Sequence, residues 1–183
     1  VGITIMTQTA IRGYEIANES KKRGKTVVFG GIHATVMPNE AIMYGDAVVI
    51  GEAENGLWET ILNDIKALKL REFYKLDAYP NLNDYITPRR DLIKTTSGKF
   101  GIAPIETGRG CPYACDFCTV PSSFGSKHRL KSIDLILKDI ESIKEKTIFF
   151  LDDNITINKK FAKELFQRMI PLKKLWVGQA SIN

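Results

Sequence analysis

No stretch of this chain stays apolar for the roughly 20 residues that a membrane-spanning helix needs. Its longest hydrophobic runs, such as Thr26–Gly31 and Thr147–Leu151, are far shorter. The start of the sequence lacks the pattern of a secretory leader, and no low-complexity tract or internal repeat is visible. Basic residues are not interleaved with aromatics in a stripe, so the formal net charge of +5 gives little support to a nucleic-acid surface. The excess comes from lysines spread over Lys66 to Lys75, Lys127 to Lys131 and Lys138 to Lys146, as on solvated helix faces. With 44% hydrophobic and 26% charged residues the composition is that of a folded globular protein, which argues against disorder. Together these absences imply a cytoplasmic protein with no membrane span.

Two series of alternating strand and helix signals are present. In the first, strands are expected at Gly2–Thr7, Thr26–Gly31 and Ala47–Ile50, with helices at Ala10–Arg23, Asn39–Tyr44 and Glu54–Leu68. Leu57, Trp58, Ile61, Leu62 and Ile65 recur at helical spacing. Strands this apolar, separated by helices, predict an α/β fold with a parallel sheet covered on both faces. From 71 to 99 the pattern gives way to Pro, Asn, Asp and Tyr and reads as a linker. The second series predicts strands at Ile102–Glu106, Thr147–Leu151 and Leu175–Gln179, with helices at Ile133–Lys144 and Lys159–Ile170. The expected organisation is thus 1–70, a linker 71–99, and 100–183. Val1 already reads as strand, no initiator Met is present, and a strand is finishing near the last residue, so the sequence reads as a fragment.

All three cysteines lie within the string CPYACDFC, as Cys111, Cys115 and Cys118, just past a strand and the glycine-rich turn Thr107-Gly108-Arg109-Gly110. Dispersed core cysteines would not cluster so tightly. Disulfides are disfavoured by the odd number and by the strain of bridging such near neighbours. Thiolates at this spacing can wrap one face of an iron-sulfur cube, each taking one iron and leaving the fourth open. A structural zinc site closed by His128 is the competing reading, although the usual CxxC pairs are missing.

The CPYACDFC string resembles the CxxxCxxC signature of the radical S-adenosylmethionine (SAM) superfamily, which follows the first strand of a βα series as it does here. That resemblance implies a [4Fe-4S] cluster on Cys111, Cys115 and Cys118, SAM bound to the open iron, and reductive cleavage of SAM to a 5′-deoxyadenosyl radical. It implies a partial (β/α)6 barrel, of which the first three strands are present. Phe117, before the third cysteine, matches the aromatic that packs near the adenine. Asp152 and Asp153, in FFLDDN, match the acidic motif that binds the SAM amino group, and Gln179 and Ser181, in WVGQAS, match a polar SAM-facing turn. Read without the family, Asp152-Asp153-Asn154 could equally be a helix-capping turn.

The first half resembles the cobalamin-binding domain that precedes the radical domain in one large branch of the superfamily, a Rossmann-like sheet. VGITIMT, VVFGGIHAT followed by PNEA, and VVIGEAE carry the likeness, all at the carboxyl ends of expected strands, where ligands of open α/β sheets bind. It implies cobalamin contacts at Thr7, Gly30, Gly31, His33, Gly51, Glu52 and Glu54. The DxHxxG motif that many such domains use to ligate cobalt is missing. His33 could instead be a hydrogen-bonded structural residue, and Glu52 and Glu54 could cap the next helix.

The resemblance implies a radical SAM enzyme performing cobalamin-dependent methyl transfer or a radical rearrangement on a small-molecule substrate. Flavodoxin or ferredoxin would be the electron donor, and a second copy could cover the open edge as a homodimer. Alternatives are a methylthiotransferase-type enzyme, whose extra cysteines are missing from the first half, and a non-catalytic zinc or iron-sulfur binding module.

Overall fold

The computed structural model describes residues 1–84, 86–92 and 101–181, arranged as two compact units, Val1–Pro80 and Asn81–Asn183. In the first unit the strands β1 (Gly2–Thr4), β2 (Val28–Gly30), β3 (Ala47–Ile50) and β4 (Phe73–Lys75) form one parallel sheet in that order. Between them run α1 (Ala10–Lys22), the short helices α2 (Ile32–Val36) and α3 (Pro38–Ala41), and α4 (Leu57–Lys66).

Side chains of a strand alternate between faces, and here both faces are buried. Ile5, Phe29 and Val48 pack with Tyr14 and Ala17 of α1, Ala34 of α2 and Ala41 of α3. Val28, Ala47 and Val49 face the other way, against Leu57 and Ile61 of α4 and Tyr74 of β4. Double burial explains why these strands read as continuous apolar runs rather than alternating ones.

The linker reading of 71–99 does not hold at its beginning. Val48, Val49 and Ile50 pair with Phe73, Tyr74 and Lys75, which makes these residues a sheet strand. Tyr74 is almost fully buried, and its hydroxyl donates to Asp64 Oδ2 at 2.7 Å and accepts from Arg71 N at 3.0 Å. The strand is only three residues long with one buried side chain, so it offered no periodicity to recognise. Of the remaining linker residues, Tyr85 and 93–99 lie outside the described residues.

In the second unit β5 (Ile102–Ile105), β8 (Thr147–Phe150) and β9 (Leu175–Val177) form a parallel sheet in the order β5-β8-β9. Two helices cover it, α6 (Ile133–Glu141) and α7 (Lys159–Met169), capped at their starts by Ser132 and Asn158 side chains. Ala103, Ile105, Ile148 and Phe150 meet Ile136, Leu137 and Ile140 of α6 and Leu165 and Met169 of α7. Arg90 secures the unit from outside the sheet: its guanidinium grips both oxygens of the buried Asp139, at 2.5 and 3.1 Å, and also donates to Pro104 O. Between β5 and α6 the chain forms a two-stranded antiparallel hairpin, β6 (Gly108–Arg109) with β7 (Arg129–Leu130), and a short helix α5 (Val120–Phe124).

Replacing Tyr74 by Ala is expected to cost the first unit about 3–5 kcal/mol, the range for emptying a buried aromatic site. Urea unfolding followed by circular dichroism checks this; a loss below about 0.5 kcal/mol, as for an exposed linker residue, would contradict it.

Candidate metal and cofactor site

The cysteine loop is a long excursion closed at its neck. Gly108 pairs with Leu130 and Arg109 with Arg129, while Lys131 N donates to Thr107 O at 2.9 Å. Gly110 adopts φ 83°, and a Cβ there would meet the carbonyl oxygens of Lys127 and Gly125 at 2.3 and 2.8 Å, so the backbones touch where only glycine fits. Cys111, buried, is held by its own N–H donating to Gly125 O at 3.2 Å. Cys118 N donates to Cys115 O at 3.0 Å, which folds the rest of the motif into a turn. Cys115 is exposed and Cys118 half-buried, and all three are free thiols. Phe117 stands out from the same turn, 90% exposed.

Among the described residues no group of three or more His, Cys, Asp or Glu side chains converges on one point as a single metal ion requires. A cube places a different iron at each thiolate and so does not demand convergence. Three free thiols on one loop whose ends are pinned together form a donor set that fits such a cluster.

The carboxyl ends of the three strands are linked beside this loop. Asp152, 4% exposed, accepts from Thr107 N at 2.9 Å and from Thr107 Oγ1 at 2.5 Å, tying the end of β8 to the end of β5. Burial raises the Asp152 carboxyl above the ordinary range, against the pull of the two Thr107 bonds. Asp153, next along, is exposed. Asn154 Nδ2 donates to Ser181 Oγ at 2.9 Å while its Oδ1 accepts from Thr156 and from Ser181 N, and Ile155 N donates to Gln179 O at 3.0 Å. The structure therefore brings Asp152, Asp153, Gln179 and Ser181 to one edge and separates the two aspartates by environment.

Glu106 was missed from the sequence. Its oxygens meet Arg109 Nε at 2.7 Å, Arg109 Nη2 at 3.2 Å and the buried Lys131 Nζ at 3.2 Å. Burial alone would raise the Glu106 carboxyl, but the hydrogen bond and charge of Arg109, joined by Lys131, outweigh it and hold the group below the usual range. Lys131 lies 25 residues along the chain, so no local spacing could have announced the contact.

In the first unit the expected residues also gather at the carboxyl edge of the sheet. Gly31, at φ 93°, lies so close to β1 that a Cβ would sit 2.7 Å from Ile5 O and 2.8 Å from Thr4 Cγ2. Thr35 Oγ1 donates to Gly31 O and accepts from Gly51 N, linking the ends of β2 and β3. His33 is buried, with Nδ1 3.2 Å from Thr7 Oγ1 and Nε2 3.3 Å from Glu40 Oε1, so both ring nitrogens are engaged within the unit. Tyr14 OH donates to the same Glu40 oxygen at 2.9 Å. That bond, with His33, holds the Glu40 carboxyl below its usual range, whereas burial and then Glu40 push Tyr14 up to about 12. Glu52 and Glu54 flank the turn into α4, where Gly56 occupies the cap position and Leu57 N donates to the Glu54 carbonyl. A shallow depression of about 370 Å³ lies at the opposite, amino end of the sheet, lined by Lys21, Thr26, Asp46 and Leu70, away from all these residues.

Two family models match this chain: the B12 binding domain over residues 1–60 and the Radical SAM superfamily over residues 105–175. The chain belongs to the radical SAM superfamily, in its B12-binding branch. Membership in this branch implies a [4Fe-4S] cluster, SAM and cobalamin as cofactors. Bacteriochlorophyllide d C-8(2)-methyltransferase of Chlorobaculum tepidum is 39% identical over 176 residues, covering 87% of this chain and 39% of that relative. The C-12(1)-methyltransferase of the same organism is 31% identical over 192 residues, covering 100% of this chain and 42% of that relative. Among solved structures, the radical SAM methyltransferase TsrM from Kitasatospora setae, with tryptophan substrate and a SAM analog bound, shares the fold at a TM-score of 0.75 and 18% identity. The match covers 94% of this chain and 40% of that one. The chain thus spans about two fifths of the length of the curated relatives it matches.

The two aspartates are expected to respond differently. Asp152→Ala strands the buried Thr107 N–H and hydroxyl and should cost the second unit about 2–4 kcal/mol, while Asp153→Ala should stay within about 0.5 kcal/mol; urea midpoints compare them. For Tyr14 the folded value of about 12 lies above the ordinary 10.0. Its stabilising contribution is therefore complete below pH 10 and is lost as pH rises toward 12. Alkaline unfolding of the wild type should be steeper in that window than that of Tyr14→Phe, measured by circular dichroism against pH.

Proposed function

We propose that this chain is the cofactor-bearing part of a cobalamin-dependent radical SAM methyltransferase of the cytoplasm. The observation that carries the reading is the cysteine loop itself: three free thiols on a loop pinned at its neck, beside the carboxyl ends of β5, β8 and β9. Cys111, Cys115 and Cys118 each take one iron. What the bound groups supply is an electron for cleaving SAM, from the cluster, and a methyl carrier, in cobalamin.

The chain's own residues orient SAM. Asp153 pairs with the ammonium of SAM, because it is exposed whereas Asp152 is buried and bonded to Thr107. Exposed Phe117 offers its ring to the adenine. Gln179 and Ser181 complete the polar edge, with Ser181 held by Asn154. In the first unit Thr7, Gly30, Gly31, Gly51, Glu52 and Glu54 border the edge on which cobalamin rests, with Met6, Ile32 and Met37 exposed along the same edge as apolar surface for a macrocycle. His33 acts there through Thr7, since its ring nitrogens are occupied. Methyl transfer is favoured over radical rearrangement by the similarity to the two bacteriochlorophyllide d methyltransferases. The electron comes from a donor of the flavodoxin or ferredoxin class.

Reconstitution without oxygen should load about four irons and matching sulfide per chain, and Cys115→Ala should lose them. With the cluster in place, Asp153→Ala should weaken SAM binding about tenfold or more in calorimetric titration. Zinc uptake without sulfide, or unchanged SAM affinity in Asp153→Ala, would contradict the assignment.

A further inference from the structure

The neck of the cysteine loop is thin at the level of the backbone. Two residue pairs, Gly108 with Leu130 and Arg109 with Arg129, and the bond from Lys131 N to Thr107 O hold it. A hairpin of this length has little stability of its own. Glu106 sits just ahead of it and joins both sides: one oxygen accepts from Arg109 Nε at 2.7 Å, while the other accepts from Arg109 Nη2 and forms an ion pair with Lys131 Nζ, each at 3.2 Å. Arg109 stands at the entry of the loop, two residues before Cys111, and Lys131 at its exit. Lys131 is 2% exposed, so this is an interior charge cluster and not a screened surface pair.

We propose that Glu106 is a positioning residue for the iron-sulfur cluster, clasping entry and exit of the loop so that the three cysteines hold the cluster firmly. It also offsets the charges of Arg109 and Lys131. The inference rests on the cluster assignment above. Its electrostatic consequence has a definite sign. Removing the carboxylate leaves two cations near a group that gains an electron on reduction, so the reduced form is favoured and the midpoint potential moves positive.

The test compares three full chains reconstituted without oxygen: wild type, Glu106→Gln, and Glu106→Gln with Lys131→Met. The measurements are iron release to a chelator, the cluster potential by electron paramagnetic resonance titration, and melting of the cluster-free protein. Glu106→Gln should release iron about tenfold faster and show a more positive potential. The double variant also removes the buried ammonium that faced Glu106, so its melting temperature should recover while iron release stays fast. If Glu106→Gln cannot be folded, the double variant alone carries the test. Wild-type iron release in either variant, or a wild-type potential in Glu106→Gln, would overturn the proposal. So would recovery of iron retention together with melting in the double variant, since Glu106 would then serve only as partner to a buried lysine. A wild-type chain that takes up no iron and sulfide refutes the cluster assignment itself, whatever Glu106 does.

Discussion

Asp152 is a carboxyl group inside the protein, and Thr107 holds it there by donating to both of its oxygens. The hydrogen bonds run from Thr107, two residues past the end of β5, to Asp152, two residues past the end of β8, so they fasten adjacent parallel strands near their carboxyl ends. Thr107 is also where the backbone meets Lys131 at the exit of the cysteine loop. One threonine thus ties the loop's exit, through its carbonyl, to the loop after β8, through its amide and hydroxyl. Loosening this tie would move the thiols and the Asp153 carboxylate independently, and their relative placement is what a shared cofactor site requires.

The first unit solves the same problem with different chemistry. Its strands also end at one edge, and the ends are joined by Thr35 between β2 and β3 and by His33 between the segments following β1 and β2. In both units the tie is a short polar side chain placed just beyond a strand, where the sheet ladder stops and backbone groups need other partners. The strands' burial on both faces in the first unit, and on the helix side in the second, supplies the rigidity from which those ties gain their precision.

Much of this was legible in the sequence because it followed from periodicity. The strand Ala47–Ile50 has the predicted bounds, and helices α1, α4, α6 and α7 lie within or at the predicted ranges, since apolar residues at helical spacing mark buried faces wherever they occur. β4 was not legible: three residues with one buried tyrosine carry no period, and its strand character comes from pairing with β3. The hairpin of β6 and β7 escaped for the same reason, being two residues on each side of a long loop. At the site, the cysteines announced themselves by local spacing, whereas Glu106 with Lys131 and Asp152 with Thr107 are long-range pairs whose partners no pattern connects. Sequence marked both aspartates as candidates but had no means to separate them, because the difference lies in which one a distant threonine reaches.

That difference gives a physical rule for dividing the marked residues. A group that is buried and hydrogen-bonded inside the fold is poorly placed to bind anything else, because reaching a ligand means exposing it or exchanging bonds, and losing a buried one costs about 1–3 kcal/mol that binding has to recover. Asp152 and His33 are in that position: one has both oxygens, the other both ring nitrogens, engaged with neighbours. Cys115, Phe117 and Asp153 are exposed and need no such rearrangement. The saturated residues are therefore suited to hold the strand ends still, and the exposed ones to receive a ligand. The two roles stand side by side at Asp152 and Asp153, because a turn at a strand end points successive side chains in different directions.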